Sequence, residues 1–102
     1  MTKFTVTVDA MLEPIMDRYL ELRREELLLM EQAAEAGDAE DVRMLGHRLK
    51  GTGASYGFAR LTELGAAIED AGKTGAMDLA KPLIAEVRGY LDNVSVVFEE
   101  RG

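Results

Sequence analysis

Hydrophobic residues return at three- and four-residue intervals through most of the chain, the spacing that places them along one side of an α-helix. Between residues 14 and 36, Ile15, Tyr19, Leu20, Leu27, Met30 and Ala34 form a stripe that Leu28 and Leu29 widen, broad enough to face two neighbours. Arg18, Arg23, Arg24, Glu25 and Glu26 make up its wet side. Asp9 reads as an N-cap and Pro14 as a first-turn proline, so this helix begins at residue 10 or 14, with room for a bend at Pro14. Gly37 and Asp38 are a stop followed by a restart, with Asp41 completing the capping pattern.

A second helix is predicted over residues 38–56, ended by Gly57, with Val42, Leu45, Leu49, Thr52 and Tyr56 turned inward. A third follows from residue 59 or 60 to 71. Its inward positions are Leu61, Leu64, Ile68 and Ala71, and an adjacent face carries Thr62, Gly65, Glu69 and Gly72. Gly65 lets another backbone come near, which brings Glu69 within range of whatever packs there. Residues 72–76 read as a loop. Asp78 then caps a fourth helix that tolerates Pro82 close to its start, and Leu79, Leu83, Val87, Tyr90, Leu91, Val94 and Phe98 trace one stripe towards the C-terminus. Phe4 to Val8 alternates like a strand, yet no later segment offers a partner of the same period, so an extended arm is expected rather than a sheet. The result is an all-α fold: an antiparallel up-and-down four-helix bundle over residues 9–102, preceded by a short extended N-terminal arm over residues 1–8.

Composition narrows the chemistry. A chain of 102 residues supports one core, and it contains no cysteine and a single histidine. Disulfides, thiolate catalysis and histidine- or cysteine-rich metal sites are therefore excluded. A net charge of −7 argues against nucleic acid as a partner. No apolar run approaches a membrane span and no charged-then-apolar leader is visible, which predicts a cytoplasmic protein with no membrane partner. No Gly-rich loop joins a strand to a helix, so a nucleotide pocket is not expected.

The one histidine is then the candidate for chemistry. At about 100° per residue, His47 falls opposite the inward side of the second helix, among Arg43 one turn back, Lys50 and Gly51 one turn on, and Ala54 two turns on. Gly51 and Gly53 each cost a helix interior about 1 kcal/mol relative to alanine. An open notch beside the ring explains Gly51, and close packing on a neighbouring helix explains Gly53. Ser55 is expected to bond back to the carbonyl four residues earlier.

His47-x-x-Lys50-Gly51, followed by small residues and Gly57 within a four-helix pattern, resembles the signature of histidine-containing phosphotransfer (HPt) domains. The resemblance implies a phosphorelay carrier. His47 would be phosphorylated on Nε2, Lys50 would balance the phosphoryl charge, and Glu69 on the third helix would orient the ring through Nδ1. It further implies a response-regulator receiver domain as partner, fed by a hybrid or sensor histidine kinase, with Mg²⁺ on that partner and no cofactor or metal here. Docking would use Gly51, Ala54, Met44, Arg43 and exposed residues of the first helix such as Met16. The carrier is expected to be a monomer and not an enzyme in its own right.

Two other readings compete. A helical adaptor without phosphoryl chemistry fits the periodicity equally well; only the surroundings of His47 speak against it. In a dimerising kinase bundle an acid follows the histidine, whereas here Arg48 does.

Overall fold

Left-handed glycines punctuate the chain where the sequence puts them. Gly37, Gly57 and Gly75 have φ of 72°, 84° and 71°, and each follows a helix. In the computed structural model, which describes residues 3–100, these helices are α1 (Glu13–Glu35), α2 (Ala39–Tyr56), α3 (Ala59–Thr74) and α4 (Met77–Asn93). Asp38 accepts a hydrogen bond from the Asp41 amide at 3.1 Å and starts α2, as its position predicts. Asp9 likewise accepts from the Met11 amide at 2.9 Å and opens a 3-10 turn, Ala10–Leu12, that leads into α1 with Pro14 in its first turn. The outermost residues of the expected arm and bundle, 1–2 and 101–102, lie outside the described residues.

The bundle is up-and-down. α1 is tied to α4 by the paired Glu31 and Arg88 (2.6 and 2.7 Å) and by Arg24, which donates to the Leu91 carbonyl at 3.1 Å. The core gathers Leu27 and Met30 of α1, Val42, Leu45 and Leu49 of α2, Leu61, Leu64 and Ile68 of α3, and Ile84, Val87 and Leu91 of α4. Phe58, between α2 and α3, is wholly buried and stacks on Tyr19, which also meets Tyr56. Among the described residues no helix is long and apolar enough to cross a membrane.

Four expectations need correction. First, the N-terminal arm is a strand, β1 (Phe4–Asp9), and it has a partner: β2 (Val94–Glu99), parallel and in register from Phe4 opposite Val94 to Asp9 opposite Glu99. α4 therefore stops at Asn93 instead of running to Phe98. Val94 and Phe98 fit a helical interval and a two-residue alternation equally. The β-branched cluster Val94, Val96 and Val97, offered a partner strand, takes the extended form.

Second, the inward line of α1 runs Met16, Tyr19, Arg23, Leu27, Met30, Ala34, at intervals of three and four but through an arginine. Treating Arg23 as wet displaces the phase. Met16 is therefore only 2 % exposed, while Ile15, Leu28 and Leu29 face out. Third, α4 buries Ala80 and Ile84 and leaves Leu79 exposed, so the first half of its stripe is rotated by one residue. Fourth, α3 continues to Thr74, and Met77 opens α4 with no side-chain cap from Asp78.

Candidate functional site

α2 and α3 approach more closely than their bulk would allow with ordinary side chains. Gly46 and Gly53 of α2 lie against the α3 side, and Gly65 and Gly72 of α3 lie against α2, each pair spaced by seven residues. A Cβ on Gly46 would lie 2.5 Å from the Glu69 amide nitrogen; one on Gly53 would lie 2.8 Å from that of Thr62. On Gly65 it would collide with the Lys50 backbone, and on Gly72 with Arg43. The roles read for Gly53 and Gly65 thus hold, and Gly46 is the member the sequence reading missed. The signal was available as the matching seven-residue spacing.

This close approach places Glu69, whose own side chain is 7 % exposed, beneath two residues of α2. Its Oε2 lies 2.9 Å from Nδ1 of His47, and its Oε1 accepts a hydrogen bond from Nζ of Lys50 at 2.7 Å. One carboxylate therefore serves both residues. The Lys50 hydrogen bond first, and the His47 ring after it, hold the Glu69 carboxyl below the ordinary glutamate value against the opposing effect of burial. An ionised carboxylate can only accept, so in the neutral ring Nδ1 carries the proton and the lone pair sits on Nε2. His47 remains 65 % exposed. The arrangement is a fixed base on one side of the ring and an open nucleophilic nitrogen on the other.

The surroundings sort cleanly. Gly51 is exposed, and a side chain there would meet nothing within 4 Å, so a vacant notch exists beside the ring. Ala54 is exposed too. Ser55 bonds back to the Gly51 carbonyl at 3.0 Å, and Thr52 does the same to Arg48. Arg43 is held by Glu40 of its own helix, with Nε donating at 3.0 Å, and the pair raises the arginine further above its already high value. Met44 is surface-exposed and borders a cleft of about 290 Å³ with Leu29, Leu45 and Arg48. Met16 is withdrawn from this surface by its burial. The line of α1 through Ile15, Leu22 and Leu29, seven residues apart, is the more exposed one, with Ile15 and Leu29 about half exposed.

A buried polar group beneath that line was also unforeseen. Arg23, 7 % exposed, lies 4.9 Å over the Tyr19 ring, with its Nε 2.8 Å from Glu26 in ion-pair contact that is not aligned as a hydrogen bond. Burial raises the Glu26 carboxyl above its ordinary value, opposed by Arg23 and then Arg48. Among the described residues no cluster of three or more histidine or acidic side chains is arranged to hold a metal ion.

A comparison with protein families finds that the family model described as Hpt domain matches residues 14–96. Neither curated proteins nor solved structures gave a match.

Proposed function

From the premise that this chain belongs to the Hpt domain family, the phosphotransfer modules of two-component relays, we propose that His47 is the residue that carries the phosphoryl group. The observation that supports this most directly is the shared carboxylate. Glu69 fixes the proton on Nδ1, and the exposed Nε2 keeps the lone pair that an in-line attack requires. In the proposed step the Nε2 lone pair forms a bond to phosphorus as the bond from phosphorus to the aspartate oxygen of a receiver domain breaks. The electron pair returns to that aspartate as carboxylate. The positive charge gained by the ring is balanced by Glu69, and Lys50 lies close enough to follow the incoming phosphoryl oxygens.

Mg²⁺ and the acids that bind it belong to the receiver in this reading, which asks of the carrier only a positioned nitrogen. The receiver docks across Gly51, Ala54 and Met44, with Ile15 and Leu29 supplying apolar contact from α1 and Arg48 a charge at the edge. Arg43, tied to Glu40, contributes at the rim. The upstream donor is a sensor or hybrid histidine kinase acting through such a receiver.

The test is incubation with a receiver domain phosphorylated on its aspartate. Radiolabel should move to this chain, survive base, be lost in acid and be absent from His47→Gln. Label that persists in His47→Gln, or no transfer from any of a panel of receivers, would refute the assignment. Stable receiver binding without transfer would favour the adaptor reading instead.

A further inference from the structure

The relay chemistry makes no use of the two-stranded sheet formed by the chain ends, and that sheet is unfinished. Among the described residues β1 has a strand on one side only. Two-stranded ribbons are marginal alone, and exposed edges are ordinarily blunted by proline, bulges or charge along the strand. β1, Phe-Thr-Val-Thr-Val-Asp, has no proline and no charge before its last residue. Its even-numbered residues, Phe4, Val6 and Val8, pack towards the core, and Thr5 and Thr7 face water.

We propose that β1 is the interface of a homodimer, pairing antiparallel with β1 of a second copy about a twofold axis at Val6. The sequence is self-complementary in that register and in no obvious other. Val6 meets the partner's Val6, and Phe4 meets the partner's Val8 on the core-facing side, an aromatic with a β-branched residue. Thr5 meets the partner's Thr7 on the outer side. Lys3, exposed just before the strand, meets the partner's Asp9, and symmetry forms that ion pair twice. Asp9 uses Oδ1 to cap the Met11 amide and keeps Oδ2 for the lysine.

The edge of β2 does not offer this. Paired with its own copy about Val96 it sets Val94 against the partner's Phe98 and Ser95 against the partner's Val97, with no ion pair to close either end. Because Phe4 stacks on Tyr90 at the bundle end of β1, antiparallel pairing sends the two bundles to opposite ends of a four-stranded sheet. His47, near the middle of α2, stays open in both copies.

Sedimentation equilibrium on the intact chain from about 5 to about 500 μM should show a concentration-dependent dimer, as expected for a small interface. Lys3→Glu should weaken it about tenfold, and Lys3→Glu combined with Asp9→Lys should restore it, with the circular dichroism of the four α-helices retained although the Asp9 cap on the Met11 amide is lost. Val6→Cys, in a chain without cysteine, should link two copies under mild oxidation, whereas Val96→Cys at the equivalent place on β2 should not. A monomer at every concentration, a dimer indifferent to the Lys3 reversal, or linkage through Val96→Cys in place of Val6→Cys would overturn the proposal. None of these results depends on phosphorylation of His47.

Discussion

At the scale of single residues, the feature to explain is that Lys50 and His47 share one carboxylate. Lys50 is neutralised by Glu69, so the ammonium is held beside the ring without repelling a protonated imidazole. In the proposed transfer, a phosphoryl group on His47 would give Lys50 a second anionic partner one turn from its own backbone. Lys50→Ala should accordingly slow transfer from a phosphorylated receiver by about ten- to a hundredfold, the usual scale for removing one charge-stabilising donor, with helix content unchanged; rapid-quench kinetics reads this.

Glu69 also ties the site to acid stability. Its carboxyl is depressed in the fold, so its contribution is complete above the ordinary value of 4.5 and is lost as pH falls through the lower folded value. Glu69→Gln should flatten the acid limb of a pH-dependent denaturation curve below that point. Nitrogen-15 spectra of the same variant should show whether the ring keeps its Nδ1–H form, since a neutral amide oxygen can still accept from it.

At the scale of elements, the glycines of α2 and α3 divide into two kinds that sequence alone does not separate. Gly46, Gly53, Gly65 and Gly72 are contact points between backbones; Gly51 borders empty space. Gly65→Ala should cost about 2 kcal/mol by forcing the helices apart, and the same shift should pull Glu69 from His47. Gly51→Ala should instead stabilise the fold by about 0.5–1 kcal/mol, while Gly51→Trp should leave the melting temperature nearly unchanged and stop transfer. Thermal melts with a transfer assay distinguish the two sites.

The junction of α1 with α2 makes a separate prediction from Arg23 and Glu26. Glu26→Leu alone leaves a buried guanidinium unpaired and should cost about 3 kcal/mol, whereas Arg23→Met with Glu26→Leu should cost much less or stabilise, as replaced buried ion pairs often do. Denaturant titration of the single and double variants measures both.

At the scale of the molecule, the ends of the chain are brought together. β1 and β2 are parallel strands whose crossover is the whole bundle, a connection of the long kind that parallel pairing requires. Loop-closure entropy opposes the early formation of contacts so distant along the chain. Val8→Ala, in the buried part of β1, should therefore speed unfolding while leaving the folding rate nearly the same, with a loss of about 1–2 kcal/mol. Stopped-flow chevron plots test this. The same closure fixes where β1 presents its outer edge, well separated along the chain from the histidine.

The sequence by itself determined the four helices, the turns at Gly37 and Gly57, the outward direction of His47 and the glycine notch beside it. Each of these follows from the angular repeat of one helix or the φ of one residue, and such local properties are written in a few neighbouring letters. That Glu69 would come within range of whatever packs on its face was also legible, because Gly65 marks the side on which α3 can come close; its pairing with His47 was implied by the family resemblance alone. The tertiary structure alone decided that Glu69 would hold Lys50 as well, that Arg23 would be drawn inside with Met16 beside it, and that Phe4–Asp9 would find Val94–Glu99. Those outcomes depend on which surfaces meet and at what separation, and a repeat read along one helix carries no measure of the distance to the next.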